Sequence, residues 1–288
     1  MASLLMLVST MDSQAQEPAN PLDKAASRYA KLDGMRVHYK SLGEGTTALV
    51  FVHGWSCSLD FWKSQVPAFD GKVRLILIDL PGHGQSDKPM VDYSIELFAR
   101  AVDAVLEDAG VEKAVLAGHS MGTPVVRQFY RLYPNKTQAL VAVDGMLRPP
   151  NMKPADFQRL IARFSGPDYK ENIDKFVQAM FPPSTPPQVL SSIKAAMHST
   201  PQHVVIGAMK ATFDPVIWKD DKVAVPLQAI MAKSRNATAE YEAYVRKLCP
   251  DLDYRVMDGV GHFLMMEKPD AFNEMLADFL KKQGVLKQ

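Results

Sequence analysis

Short apolar runs recur along the chain and alternate with segments in which apolar residues repeat every three to four positions. The runs cover residues 48–52, 73–78, 114–117, 139–143, 227–232 and 254–257. Runs that are apolar on both faces are typical of strands in a buried, mostly parallel sheet. Two earlier strands, at 28–31 and 35–41, are predicted to form a hairpin, because Asp33-Gly34 between them favours the positive φ angles of a tight turn.

The segments between these runs predict helices on the faces of the sheet. In residues 94–109 the apolar side chains form one stripe, Ser94 is suited to cap the start and Gly110 marks the end. Residues 271–280 repeat this pattern. Because parallel strands need crossover connections, the alternation predicts an α/β fold with a central sheet flanked by helices.

Residues 146–225 interrupt the alternation. They contain many prolines, helical stretches at 157–164 and 188–197, and no run suited to a buried strand. We therefore expect an inserted helical cap at 146–225, between a first core part at 25–145 and a second at 226–288. Helical packing accounts for most apolar side chains of this cap, but seven are also candidates to line a substrate pocket: Phe164, Phe176, Phe181, Met197, Met209, Phe213 and Trp218.

Composition narrows the class of protein. With 288 residues, of which 47% are hydrophobic, the chain can bury a large core. The net charge is +1 and the basic residues are scattered, which argues against nucleic acid or an anionic membrane as partner and favours a small, weakly charged molecule. Cys57 and Cys249 lack the spacing of a zinc site or a disulfide framework, so we interpret both as free thiols.

The first 24 residues form a separate segment with two open interpretations. A short apolar run at 4–8 and the small residues around 13–15 resemble a signal peptide, which would place the protein in the periplasm or outside the cell. No Lys or Arg precedes Lys24, so an N-terminal arm on a cytoplasmic protein is the alternative. No apolar run approaches 18 residues, so no membrane-spanning helix is expected.

The sequence Gly118-His119-Ser120-Met121-Gly122 has the GxSxG form of a nucleophile on a sharp turn. It follows the apolar run at 114–117 and precedes a helical segment at 124–132, which is the strand, turn and helix that such a motif needs. These surroundings make Ser120 the candidate nucleophile.

A serine hydroxyl is a weak nucleophile and needs a neighbouring base. His262 follows the last strand-like run, so it is expected at the sheet edge where Ser120 also emerges. His53 and His83, in loops after earlier strands, are expected to have structural roles. The negative charge that develops on the substrate needs fixed donors, for which we predict the backbone N–H groups of Trp55 and Met121.

These motifs together resemble the α/β-hydrolase superfamily. The chain carries a His-Gly loop after the third strand, Gly-His-Gly after the fourth, GHSMG after the fifth, a helical cap and a late Gly-His, spread over residues 29–280. The resemblance implies the α/β-hydrolase fold and a serine hydrolase with a catalytic triad, in which no metal or organic cofactor is required. It does not imply a substrate.

The acid of the triad departs from the commonest pattern of the superfamily. In the commonest pattern of the superfamily an Asp follows the seventh strand, but here that loop holds Asn236 and no carboxylate before Glu240. Asp144 directly follows the run at 139–143, the sixth predicted strand when the hairpin is counted. Haloalkane dehalogenases and certain lipases of the superfamily place their acid at this position. We therefore predict Asp144, with Glu240 as the alternative acid and Asn236, or no acid at all, as further options.

Three functions follow as hypotheses. The first is a carboxylesterase that cleaves small to medium apolar esters through an acyl-enzyme, since the cap is rich in apolar side chains. The second is hydrolysis of a lactone or a carbon–carbon bond, because one fold supports many reactions. The third is a ligand receptor built on a hydrolase scaffold. Epoxide hydrolases and dehalogenases of this fold use an Asp nucleophile, so Ser120 argues against both reactions.

Overall fold

The structure is a computed structural model that describes residues 19–149, 152–234 and 237–286. Its centre is a sheet of eight strands. Their bounds are β1 Ser27–Leu32, β2 Met35–Leu42, β3 Thr47–Val52, β4 Arg74–Ile78, β5 Lys113–His119, β6 Thr137–Val143, β7 Leu227–Ala232 and β8 Leu252–Met257. Each strand predicted from the sequence is present, with ends that differ from the prediction by at most two residues.

The strand order is β1-β2-β4-β3-β5-β6-β7-β8. The pairs β1–β2 and β2–β4 are antiparallel, and all later pairs are parallel. Strands β3, β5 and β6 are almost entirely buried, which fits their continuous apolar runs. The parallel strands therefore share one carboxyl-terminal edge, where ligands bind in open α/β sheets.

Helices cover both faces of the sheet and fill the connection between β6 and β7. Their bounds are α1 Pro21–Lys24, α2 Val66–Phe69, α3 Ile95–Asp108, α4 Gly122–Leu132, α5 Pro154–Ser165, α6 Tyr169–Gln178, α7 Pro187–Met197, α8 Gln202–Phe213, α9 Ala239–Leu248, α10 Leu264–Glu267 and α11 Pro269–Lys282. Ser94 caps α3 by accepting a hydrogen bond from the Leu97 backbone N–H. This mostly parallel sheet, flanked by helices, is the α/β-hydrolase fold.

The connection between β6 and β7 consists of α5 to α8, and no strand lies in its described residues. Its side chains pack on one another and on the carboxyl edge of the sheet. Phe164 of α5 and Phe176 of α6, for example, both pack against Trp55 in the loop after β3. The helical segment therefore forms a roof above the ends of the strands.

Two expectations need adjustment. Strand β8 was expected among the strands buried on both faces, but it lies at the sheet edge and its Val256 is exposed. The N-terminal segment was expected to be a loose arm or a signal-peptide remnant. Residues 1–18 lie outside the described residues, but α1 packs on the core through the fully buried Leu22. No helix in the described ranges is long and apolar enough to cross a bilayer.

Candidate active site

Ser120 lies on a tight turn between β5 and α4. Its φ of +51° is in the left-handed region, which side chains other than glycine rarely adopt. Glycines make the turn possible, because a Cβ at Gly118 would lie 2.2 Å from the Gly122 carbonyl oxygen and one at Gly122 would lie 2.5 Å from the Val52 carbonyl oxygen. The turn lifts the Ser120 side chain off the end of the strand, as the GxSxG motif predicts.

His262 reaches Ser120 from the loop after β8. Its Nε2 lies 2.8 Å from Ser120 Oγ, and its Nδ1 lies 2.6 Å from Oδ2 of Asp144. A proton on Nδ1, donated to the carboxylate, leaves the lone pair of Nε2 free to accept the serine proton. The structure therefore brings together Ser120, His262 and Asp144, in a geometry suited to activate the serine.

Asp144 is held firmly at the end of β6. Its backbone N–H donates to the Ile230 carbonyl oxygen over 2.9 Å, and its Oδ1 accepts from the Ala232 N–H over 2.9 Å. Its φ of +42° turns the chain sharply and directs the carboxylate toward His262. The adjacent strand β7 therefore fixes both the backbone and the carboxylate of this residue.

The alternative acids lie elsewhere. Glu240 lies in the first turn of α9, its side chain is 83% exposed and it pairs with Arg148 at 3.1 Å, whereas the Asp144 side chain is 12% exposed. Glu240 has no contact with His262 in the described structure. Asn236 lies outside the described residues, so the structure is silent on its position.

The two predicted oxyanion donors face the same cavity as Ser120. Trp55 lies in the loop after β3, and Met121 directly precedes α4, at the positive end of the helix dipole. Within the described residues, neither backbone N–H has a hydrogen-bond acceptor. The Trp55 side chain is held separately, because its Nε1–H donates to the Val205 carbonyl oxygen over 2.8 Å. Both amides are therefore free to bind an oxygen of a substrate.

His119 is a further residue of the site that the sequence reasoning did not single out. Its Nε2–H donates to the carbonyl oxygen of His262 over 2.8 Å, and burial lowers the pKa of this imidazole well below its ordinary value. The cap adds a second link, since the His262 backbone N–H donates to the Met180 carbonyl oxygen over 3.1 Å. Its position next to Ser120 in the GHSMG motif was the feature of the sequence that could have identified His119 as part of the site.

His53 and His83 are fully buried, and burial lowers the pKa of both imidazoles. His53 Nε2 accepts from the Leu80 N–H over 3.0 Å, and His83 Nδ1 donates to the Pro81 carbonyl oxygen over 3.0 Å. Neither ring lines the cavity that holds Ser120. These contacts tie the loops after β3 and β4 together.

Ser120 opens into a cavity of about 270 Å³ between the sheet edge and the helical roof. Aromatic rings and thioethers make up most of its wall, and no Lys or Arg of the described chain lines it. The methionines of the wall are Met121, Met146, Met180, Met197, Met209 and Met231. Of the seven candidate cap residues, Phe176, Met197, Met209, Phe213 and Trp218 line this cavity, whereas Phe164 and Phe181 do not.

A buried arginine connects the roof to the helix of the nucleophile. Arg127 on α4 is 2% exposed, and its guanidinium donates to the Leu147 carbonyl oxygen over 2.6 Å and to Asp221 Oδ1 over 3.0 Å. A hydrogen bond to the Lys219 carbonyl oxygen completes the set. Leu147 and residues 219–221 are the two points at which the chain enters and leaves the roof. In the sequence, the position of Arg127 among apolar residues of a predicted helix was the feature that could have indicated a buried, hydrogen-bonded arginine.

A model of the alpha/beta hydrolase fold family matches residues 47–195, just over half of the 288-residue chain. The chain therefore belongs to the α/β-hydrolase family, and relatives that it matches over most of their length are named hydrolases.

Relatives that match over almost their whole length include two hydrolases. The 2-hydroxy-6-oxononadienedioate/2-hydroxy-6-oxononatrienedioate hydrolase of Paraburkholderia phymatum is 28% identical, over 90% of this chain and 96% of its own. The 2-hydroxy-6-oxo-6-phenylhexa-2,4-dienoate hydrolase of Comamonas testosteroni is 27% identical, over 89% of this chain and 97% of its own. Among solved structures, Est816, described as an N-acyl homoserine lactone degrading enzyme, is 27% identical with a TM-score of 0.76. The match covers 88% of this chain and 100% of that one.

Proposed function

We propose that this hydrolase is a serine enzyme that cleaves carboxylic esters or lactones with uncharged, apolar substituents. The observation that carries the proposal is the hydrogen-bonded set of Ser120, His262 and Asp144, which opens into a cavity without a cation. An apolar cavity favours apolar acyl groups, and flexible methionine side chains fit acyl groups of different shapes.

The proposed reaction has two steps. Ser120 Oγ attacks the carbonyl carbon while its proton passes to His262 Nε2, and the Trp55 and Met121 amides bind the oxyanion. The leaving alcohol takes the proton from Nε2, and the acyl group stays on the serine. Water then attacks the acyl carbon and gives a proton to the same nitrogen. The bond between that carbon and Ser120 Oγ breaks, the proton passes from Nε2 back to Oγ, and the carboxylic acid is released. Each oxyanion donor is expected to contribute a factor of about 10²–10³ in kcat.

Cleavage of a carbon–carbon bond is the second candidate, and the relatives from Paraburkholderia and Comamonas support it. The compounds in their names contain no ester or amide, so their hydrolysis breaks a carbon chain. Those compounds carry one or two carboxylates, which in a closed site need cationic partners. The absence of Lys and Arg from the described cavity wall is the reason that we rank an ester or lactone first. Est816, as a lactone degrading enzyme, supports that ranking.

The test compares three kinds of substrate with one enzyme preparation. We would measure kcat/KM for p-nitrophenyl acetate, butyrate and octanoate, for a neutral alkyl lactone, and for a 2-hydroxy-6-oxo-dienoate. A fluorophosphonate probe, located by mass spectrometry, reports the reactive serine. Ser120→Ala is the active-site variant, and Ser191→Ala, an exposed serine on α7, is the matched control.

We expect turnover of the esters or the lactone, label on Ser120, and loss of both in Ser120→Ala but not in Ser191→Ala. Turnover of the dienoate alone would move the assignment to carbon–carbon bond hydrolysis. Label on another residue, with full activity of Ser120→Ala, would refute the role of Ser120 in either reaction.

A further inference from the structure

A second serine, histidine and aspartate are joined by hydrogen bonds at the β1–β2 edge of the sheet. Ser27 Oγ lies 2.9 Å from His38 Nε2, and His38 Nδ1 lies 2.7 Å from Asp79 Oδ2. These distances are close to those between Ser120, His262 and Asp144. None of the three residues lines the cavity that holds Ser120.

Asp79 is held as a carboxylate. Burial alone would raise its pKa, but hydrogen bonds from His38 and from the Gln85 and Leu59 backbone N–H groups outweigh burial and lower the pKa. A carboxylate only accepts hydrogen bonds, so the imidazole proton lies on Nδ1 of His38. The lone pair of Nε2 then faces Ser27, which donates its hydroxyl proton to it. This is the arrangement that a general base requires.

Solvent reaches the serine but not the base. Ser27 is exposed, whereas the side chains of His38 and Asp79 are 1% and 2% exposed. The ring of Tyr29 covers His38, with centroids 5.2 Å apart. A small molecule in solution can therefore approach the Ser27 hydroxyl, while water does not compete for the imidazole behind it.

A positive charge lies on the same face. Lys40 is directly opposite Ser27 in the antiparallel ladder, so both side chains project to one side of the sheet. The Lys40 ammonium donates to the Leu22 carbonyl oxygen over 2.8 Å, which holds it in this region. A positive charge on the same face as a reacting serine favours the negative charge that forms when the serine attacks a carbonyl.

We propose that Ser27 is a second nucleophilic serine, which accepts acyl groups from small activated carboxylic esters in solution. Ser27 Oγ bonds to the carbonyl carbon, and its proton passes to His38 Nε2. The bond between the carbonyl carbon and the leaving oxygen breaks, and the released alcohol or phenol takes the proton from Nε2. The product is an O-acyl serine at position 27, and no oxidant, reductant or metal takes part.

The experiment uses the full chain with Ser120→Ala, so that the first serine cannot react. The protein is incubated with p-nitrophenyl acetate and the acetylated residues are quantified by peptide mapping. We expect Ser27 to react at least about tenfold faster than Ser191 and Ser192, two exposed serines whose hydroxyls have only backbone carbonyl partners among the described residues. A second change, His38→Gln, should reduce Ser27 to their rate. Equal rates for the three serines, or no effect of His38→Gln in a folded protein, would overturn the proposal.

A thiol at the same position gives a second test that leaves the buried residues intact. Ser27→Cys and, as a matched control, Ser191→Cys are treated with iodoacetamide near neutral pH. Cys57 and Cys249 are buried and react slowly. The base and the lysine ammonium should make the thiol of Ser27→Cys react several-fold faster than that of Ser191→Cys. A rate equal to or below the control would contradict the assignment.

Discussion

Replacement of Asp144 by Asn tests the proposed acid without straining the backbone. Asp144 has a φ of +42°, and asparagine is one of the few residues that enter this region readily. The carboxylate accepts one hydrogen bond on each oxygen, from His262 Nδ1 over 2.6 Å and from the Ala232 N–H over 2.9 Å. An asparagine has a single oxygen, so it can replace only one of these two interactions.

The backbone decides which interaction survives. The Ala232 N–H belongs to β7 and is fixed by the sheet, so the amide oxygen of Asp144→Asn keeps that bond. Its NH₂ group then points at Nδ1 of His262, which must become an acceptor, and the imidazole proton moves to Nε2. In this tautomer the ring cannot accept the proton of Ser120. We therefore expect a loss of about 10⁴ in kcat, equivalent to about 5.5 kcal/mol of transition-state stabilisation.

The assay is steady-state hydrolysis of p-nitrophenyl butyrate, with thermal unfolding as a check that the variant folds. Glu240→Gln is the matched control, since its side chain is 83% exposed and pairs only with Arg148 among described residues. It should retain activity within about twofold, as expected for a surface substitution. A loss of less than tenfold in Asp144→Asn, or a comparable loss in Glu240→Gln, would refute the reasoning from tautomers.

Three further substitutions follow from contacts around the site. Arg127→Met removes the hydrogen bonds that tie Leu147 and Asp221 to α4; we expect a loss of about 1–3 kcal/mol in urea unfolding, with a raised KM. Unchanged values of both would contradict the role of Arg127. Burial lowers the pKa of His83 to about 3, whereas its ordinary value in an unfolded chain is about 6.5. Between these pH values the unfolded state binds more protons, so the contribution of His83 to the free energy of unfolding is complete above about pH 6.5 and is lost as the pH falls toward 3. Below pH 6, the free energy of unfolding of His83→Asn should therefore change less with pH than that of the wild type, by about 1.4 kcal/mol per pH unit. An equal pH dependence in the two proteins would count against this. A Cβ at Gly145 would lie 1.9 Å from Thr123 Oγ1, so Gly145→Ala should lower the unfolding free energy by about 1–3 kcal/mol; a stable variant would show that α4 can shift.

The strands and the nucleophile are predictable from the sequence because their signals are local. A continuous apolar run such as that of β3 is sufficient to indicate a buried strand, and Ser120 lies between glycines with a strand before it and a helix after it. Strand β8 shows the limit of this reasoning. Its position at the sheet edge depends on the strand order, which no local pattern records.

The residues that act through distant contacts were not predictable in the same way. Asp144 and Glu240 are both carboxylates after strands, so the local pattern did not choose between them. Asp144 was preferred through the family resemblance, and in the structure Asp144 is the one that reaches His262. Arg127 contacts two points of the chain that are 20 and about 92 residues away. The link between Ser27 and Asp79 depends on β2 lying between their strands. In each case the spatial partner is set by the topology and not by the neighbouring sequence.

The methionine wall of the cavity has a consequence for how this enzyme responds to oxidants. Peroxides convert a thioether into a sulfoxide, which is polar, chiral and a strong hydrogen-bond acceptor. Met180 also forms part of the support of His262, through its backbone carbonyl oxygen. Oxidation of these side chains would replace apolar surface with polar sulfoxide groups, and so weaken the binding of apolar groups in the cavity. Because methionine sulfoxide reductases reverse the modification, the cavity could recover without new protein synthesis. The same thioethers that make this wall apolar would thus make its polarity depend on the redox state of the surroundings.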